Sequence, residues 1–347
     1  MTSHFRNMYG RGNSPWFVLL ASCMAAFLVT LDVTIINIAL PSIQRDLKVT
    51  LVQGSWVINA YTLAFASLVI LGGKLGDIFG RKRLLLIGFA VFGLGSLTGG
   101  FAQDIHVVHL ARVIQGLGGA MMLPGSLSVL TTAFHNRNLS LAIGLWGGIA
   151  ALGLIVGPIV GGAFTSFFNW RAIFFFNLPL VIGAFLLAWI LARESKDSTI
   201  DSRIDFYGVA LSAGSVFLLI LAIIEGNTHG WTSVRILGVF SGAGFLIILF
   251  ILAELISPSP LIDPNFFKNR TFTVGILVRF AAGFGYVPVV LMSTIYLQTF
   301  MKRSPIEAGL MFLPAGVIIV IATPFWGRII NFVGPRWPMI IGMLFTG

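Results

Sequence analysis

The sequence predicts an all-α polytopic membrane protein, and three observations carry that reading. Of the 347 residues, 57% are hydrophobic and only 10% charged, whereas water-soluble domains carry about 25% charged residues. The mean hydropathy is +0.95. The apolar residues fall in runs of about 20 or more, the length a helix needs to span the hydrocarbon core. A soluble enzyme, a disordered scaffold and a disulfide-stapled module are excluded together. The single cysteine, Cys23, allows neither an internal disulfide nor a cysteine-rich metal site.

Ten runs meet the length criterion: 16–40, 56–76, 84–102, 107–133, 141–164, 172–192, 207–224, 234–256, 273–297 and 306–330. The first is too long for a signal-peptide core and carries Asp32 and Asn37 near its far end, so it reads as a retained helix. In the fifth, Gly153, Gly157 and Gly161 recur every four residues and share one stripe, with Pro158 beside the second. Small residues at that spacing let another helix backbone approach closely, and proline removes one helical hydrogen bond. Gly93 and Gly95 in the third run read as packing residues rather than a nucleotide loop. An eleventh run begins near Trp337, and the sequence stops within it. The chain is therefore read as a fragment whose last bundle is truncated.

Charge sets the expected orientation. The net charge is +10, but the basic residues sit singly or in small groups between apolar runs, which points to lipid headgroups and not to nucleic acid. With the N-terminus in the cytoplasm, the inner side receives fourteen basic residues: Arg6, Arg11, Lys74, Arg81, Lys82, Arg83, Arg137, Arg193, Lys196, Arg203, Lys268, Arg270, Arg328 and Arg336. The outer side receives six: Arg45, Lys48, Arg171, Arg235, Lys302 and Arg303. The excess favours a multi-pass protein of the plasma or inner membrane with a cytoplasmic N-terminus. The polar loops are too short for a soluble domain. No P-loop, HExxH or GxSxG motif occurs, and no cofactor is expected. His4, His106, His109, His135 and His229 are scattered over loops and helix ends. His106 and His109 share a face, but with no third ligand beside them they read as interfacial polar groups, not zinc ligands.

Three ionisable residues stand out within the apolar runs: Asp32, Arg112 and Arg279. Such a group costs about 2.5–3.5 kcal/mol on insertion scales, so each is a candidate functional residue. Asp32 stands about 24 Å along its helix from the inner side at 1.5 Å per residue, about 6 Å short of the outer surface of a ~30 Å core. Arg112 lies about 8 Å below that surface by the same rise. An aspartate and an arginine at one depth can offset each other's desolvation, and the arginine competes with a proton for the carboxylate. Gln115 sits one turn from Arg112 on the same face. Asp32, Arg112 and Gln115 are therefore the expected proton-coupling group. Arg279 lies about 12 Å deep from the inner side; a substrate-facing or helix-capping role is open to it, and Glu254, at the inner end of the eighth run, is a candidate but shallow partner.

The motifs then resemble a family. The loop Gly73-Lys74-Leu75-Gly76-Asp77-Ile78-Phe79-Gly80-Arg81-Lys82-Arg83 is similar to the loop between the second and third helices of the major facilitator superfamily. The resemblance implies a conformational latch carried by Gly73, Asp77, Gly80 and Arg81. Gly73 is expected to permit close packing and Gly80 a tight turn; Asp77 is expected to accept backbone or arginine hydrogen bonds. Arg112-Val113-Ile114-Gln115-Gly116 resembles the family's fourth-helix pattern, whose arginine is linked to proton transfer. The segment from Gly153 to Gly162, with Gly157-Pro158 and Gly161, resembles the antiporter motif found in exporters. Leu31-Asp32-Val33-Thr34 and the residues through Pro41 resemble the first-helix signature of the fourteen-helix drug:proton antiporters. Tyr296-Leu297-Gln298, Ser304-Pro305 and Leu313-Pro314 look like the same branch. Gly327 to Arg336 echoes the earlier loop with Asn331 where an acid often stands, as expected of pseudo-symmetric halves.

The resemblance implies a major facilitator-type two-bundle architecture. Its expected parts are an N-terminal six-helix bundle (1–192), two extra linking helices with flanking cytoplasmic loops (193–271) and the start of an incomplete C-terminal bundle (272–347). It implies a proton-coupled exporter, not an enzyme, that moves amphipathic or cationic small molecules outward by alternating access. The expected partners are protons, a small-molecule substrate and the lipid bilayer; nothing in the sequence assigns a periplasmic adaptor. Two other readings stay open at this stage: an exporter of one metabolite or antibiotic, and a non-transporting membrane sensor.

Overall fold

The computed structural model describes residues 15–134, 137–196, 205–257, 260–334 and 336–346. Arg6, Arg11, His4, His135, Arg203 and Pro335 lie outside the described residues, as do the side chains of Arg137, Gln298, Pro305 and Asn331. The described chain is helical throughout its ordered elements: α1 (Pro15–Leu47), α2 (Leu51–Phe79), α3 (Arg81–Gly100), α4 (Ile105–Ala133), α5 (Arg137–Phe167), α6 (Arg171–Leu191), α7 (Phe206–His229), α8 (Val234–Ile256), α9 (Arg270–Ile295), α10 (Pro305–Val333) and α11 (Arg336–Thr346). Among the described residues nine helices, α1–α8 and α10, are long and apolar enough to cross a membrane. The expected segment at 273–297 is helical as α9 and continues into a π-helical turn, Tyr296–Phe300.

Several helices outrun the apolar segments that announced them. The reason is capping. Thr50 and Gln53 form a reciprocal capping box that starts α2 five residues before the expected Trp56, and Ser304 with Glu307 does the same for α10. Asp104 accepts from the amides of His106 (2.8 Å) and Val107 (3.0 Å) at the start of α4. Polar groups fix these ends by satisfying the free amides of the first turn. Hydropathy alone does not see them.

Helices α1 to α6 pack around one another. α1 lies deep among them: Ala25, Ala26, Leu28, Leu31, Ile35, Ile36, Ala39 and Ile43 are fully buried. One apolar cluster joins Leu28 and Val29 to Phe89, Phe92 and Met122. A second joins Ile35 and Ile36 to Val57, Val108, Trp170 and Phe174. Outward-facing positions are also apolar, as at Leu186, Trp189, Ile190, Phe245 and Ile248. That is the surface lipid covers.

The α7–α8 pair leans on this group, with α7 along α2. At one end Lys74 Nζ donates to the carbonyl oxygen of Pro260 (3.2 Å). At the other, Arg235 binds Glu225 (2.8 Å) and His229 (2.9 Å) across the α7–α8 turn. α10 packs along α5, while α9 and α11 touch each other.

Candidate functional site

Five helices converge on Asp32. It occupies the middle of α1, and its side chain is only 2% exposed; Arg112 of α4 is 1% exposed. Arg112 Nη1 donates to Asp32 Oδ2 in a direct ion pair. The guanidinium is held on its other side by α2. Its Nε donates to the carbonyl oxygen of Val57 (2.9 Å), and its Cζ lies 4.4 Å from the centre of the Tyr61 ring. A cation over an aromatic face is attracted by the ring quadrupole, the more so where water is excluded.

Gln115 completes the link. Its Oε1 accepts from Arg112 Nη1 (2.8 Å), and its Nε2 donates both to Asp32 Oδ1 (3.2 Å) and to Ser96 Oγ of α3 (3.0 Å). Gly95 makes this approach possible, since a Cβ there would stand 2.7 Å from Gln115 Cγ. From α6, Asn177 Nδ2 donates to Asp32 Oδ1 (3.0 Å). The carboxylate thus receives three charge-assisted bonds from two helices, α4 and α6, the kind of pairing that offsets the removal of charge from water.

The stripe on α5 faces α1, the helix that carries Asp32. A Cβ on Gly157 would fall onto the hydroxyl of Thr34, one on Gly153 would stand 2.8 Å from the carbonyl oxygen of Phe27, and one on Gly161 2.7 Å from that of Ile35. Thr30 Oγ1 donates to the carbonyl oxygen of Ala150 at 2.6 Å. Pro158 lies within α5 beside this contact. On another side α5 meets α10: a Cβ on Gly327 would stand 2.8 Å from the Ser140 carbonyl oxygen, and one on Gly316 2.7 Å from Ile155 Cδ1. α5 is therefore sandwiched between the helix of the buried acid and a helix of the following group.

The α2–α3 turn holds the other expected residues, with one correction. Gly80 takes φ +118°, which only glycine adopts readily. Asp77 lies in the last turn of α2 and accepts from Arg81 Nε (2.9 Å) and Nη2 (2.8 Å). The close approach falls at Gly72, where a Cβ would collide with the carbonyl oxygen of Ala120. Gly73 has only Pro124 Cβ nearby, at an ordinary 3.9 Å. One residue changes face per step of helix, and Gly72 is the one turned toward α4.

The partner of this turn was not foreseen. Glu194, just beyond α6, accepts from the backbone amides of Lys82 and Arg83 (both 3.1 Å), and the Arg81 amide donates to the carbonyl oxygen of Ser195 (3.0 Å). A carboxylate at the start of α3 satisfies its free amides and its dipole. The sequence hides this because Glu194 lies more than a hundred residues away.

Arg279 is exposed on α9 and takes no part in the Asp32 hydrogen bonds. Glu254 is not its acid: it is buried beside Gly208 of α7, and its Oε2 accepts from the Ile262 amide (2.8 Å). The turn after α8 folds back and takes up this carboxylate. The His106 and His109 rings stand 6.2 Å apart, and His109 Nε2 meets the Gln53 carbonyl oxygen at 2.9 Å, which ties α4 to α2.

The described helices form a multi-pass bundle with a charged pair sealed in its interior. The chain belongs to the Major Facilitator Superfamily, whose profile matches residues 22–347. It is 33% identical over 337 residues to the tetracenomycin C resistance and export protein of Streptomyces glaucescens, covering 97% of this chain and 63% of that protein. It is 33% identical over 326 residues to the multidrug resistance protein Stp of Mycobacterium tuberculosis, covering 94% of this chain and 60% of that one. The chain thus spans about 60% of the length of these curated relatives. Among solved structures, the proton:xylose symporter XylE bound to 6-bromo-6-deoxy-D-glucose shares the fold, with a TM-score of 0.61 at 13% identity over 96% of this chain and 78% of that one.

Proposed function

We propose that the protein is a proton-coupled secondary exporter of amphipathic or cationic small molecules, with its N-terminus in the cytoplasm. The observation that carries the reading is the Asp32–Arg112 pair, an ionisable pair enclosed by five helices inside a transporter fold. The relatives named for drug resistance and export support the outward direction.

The contacts support the following mechanism. Asp32 is the proton site. When ionised it holds α1 to α3, α4 and α6 through Arg112, Gln115 and Asn177. A proton arriving from outside weakens the ion pair, because Arg112 then faces a neutral carboxyl. α1 gains freedom against its partners. The movement passes to α5 through the contacts of Gly153, Gly157 and Gly161, where the backbones are too close for either helix to shift alone. α5 carries it to α10. Residues 1–192 act as one bundle and rock against residues 272–347, with the 193–271 hairpin riding on α2. The Asp77–Arg81 turn and its Glu194 clamp hold one access state. The substrate binds between the bundles, where Arg279 is a candidate contact. No covalent chemistry is involved, and no adaptor is assigned.

A second reading, an exporter dedicated to one antibiotic, is favoured by the relative named for tetracenomycin C. Efflux of chemically unrelated dyes separates the two: a broad exporter lowers accumulation of several, a dedicated one of none or one. The first reading is tested by efflux from cells making the complete gene product. A protonophore and the Asp32→Asn change should each stop export. Export that survives both contradicts the proposal.

A further inference from the structure

Two polar atoms in and beside the network around Asp32 have no hydrogen-bond partner among the described residues: the Tyr61 hydroxyl, which lies toward Gly119 behind the guanidinium, and Asn177 Oδ1, on a residue that bonds Asp32 directly. Asn177 is fully buried, and its Oδ1 has no hydrogen-bond partner among the described residues, although its Nδ2 donates to Asp32 Oδ1 at 3.0 Å. A buried amide oxygen left without a partner forfeits its bond to water and gains none in return, so an orphan of this kind asks for a reason.

Gln115, the neighbouring amide, has no such freedom. Its oxygen accepts from Arg112 and its nitrogen donates to Asp32 and Ser96. Turning it over would aim its own N–H groups at the guanidinium, which has donors only. Asn177 loses nothing of that kind by turning over.

The two protonation states of Asp32 make opposite demands. An ionised carboxylate only accepts, and the Nδ2 of Asn177 meets it. A protonated carboxyl has an O–H that needs an acceptor. Arg112 cannot accept, and the Gln115 oxygen is taken. We infer that Asn177 is a positioning residue that rotates its amide about χ2 as Asp32 gains a proton, so that its unused oxygen receives the new O–H. The proton comes from water and forms the O–H bond at Oδ1, while Oδ2 stays with Arg112. The pair passes from net zero to net positive charge, and the rotated Nδ2 takes the unpartnered place the oxygen held, so the number of unsatisfied groups does not rise.

The groups facing this carboxyl fit the assignment. α4 contributes Arg112 and Gln115, α2 contributes Tyr61 behind the guanidinium, α3 contributes Ser96 and α6 contributes Asn177. α5 lies against Thr30, Thr34 and Ile35 on another face of α1. The only titratable or charged groups among those facing residues are Arg112 and Tyr61.

The inference rests on Asp32 being the proton site, and the test separates the two. The chain is reconstituted in lipid with asparagine labelled with ¹³C at the side-chain carbonyl, and infrared difference spectra are taken as the pH falls. A carboxyl band absent from Asp32→Asn reports the acid. The expected result is that one labelled amide carbonyl band shifts to lower frequency with the same midpoint as the carboxyl band, and that the shift disappears in Asn177→Gln. Both bands are read in the unsubstituted protein, so their shared midpoint stands as the test even if a variant fails to fold. A carboxyl band that titrates while every labelled amide stays still overturns the rotation alone. An Asp32 that does not titrate overturns the proton site, and the rotation with it.

Discussion

Arg112 and Asp32, eighty positions apart in the chain, meet as an ion pair that leaves 1% of one side chain and 2% of the other exposed. Each is costly alone in this interior and acceptable only beside the other. Removing one partner of a buried pair leaves an uncompensated charge, which costs about 3–5 kcal/mol. Asp32→Asn should therefore lower the unfolding temperature in detergent, and adding Arg112→Gln should restore more than half of the loss. Cys23, the sole cysteine and 1% exposed, provides the readout through its reaction with a thiol dye on unfolding. Additive losses in the double variant contradict the pairing.

The α1–α5 contact predicts a graded response along one helix. Gly157→Ala drives a methyl onto the Thr34 hydroxyl, whereas Gly147 has nothing within 4 Å of its Cβ position. Overpacking costs about 1–3 kcal/mol. Gly157→Ala should lower thermal stability by that order and Gly147→Ala should leave it unchanged. Equal effects in a thermal shift measurement would argue against a tight α1–α5 seam.

Glu194→Ala should loosen the start of α3. The lost cap is worth about 0.5–2 kcal/mol, and hydrogen exchange at the amides of Arg81, Lys82 and Arg83 should speed up before any change elsewhere. Glu194→Asp shortens the reach and should restore protection only in part. Unchanged exchange in Glu194→Ala would dismiss the clamp.

Gly80→Ala tests the same turn from the backbone side. At φ +118° a side chain is strained, and its Cβ would stand 2.5 Å from the Glu194 carboxyl carbon. The variant should lose thermal stability and protection at α3 together. Adding Glu194→Ala to it should cost less than in the wild type, because the clamp is already displaced.

The membrane helices and the depth match between Asp32 and Arg112 were legible from the sequence because both follow from one number, the rise of a helix through a core of fixed thickness. Gln115 was legible as well, one turn along the same face. Asn177 and Ser96 were not, since a neutral polar residue in a spanning helix carries no insertion penalty large enough to single it out. Glu194 was hidden for a different reason: its partners are backbone amides, which leave no mark in sequence. The glycine stripe announced a close helix contact but not its partner, because any helix fits such a groove. That the partner is α1, and that Gly72 rather than Gly73 makes the close approach to α4, required the three-dimensional arrangement. Glu254 stood as a candidate partner of Arg279 from its place at the inner end of its helix, whereas the return of the segment after α8 decides its surroundings.

The most direct measurement is proton movement in liposomes holding the complete gene product, read with an interior pH dye when a cationic substrate dye is added. The wild type and Asp32→Glu should exchange protons for the dye. Asp32→Asn, inserted and folded to the same extent, should move none. Dye-dependent proton flux in Asp32→Asn at the wild-type rate would contradict the account.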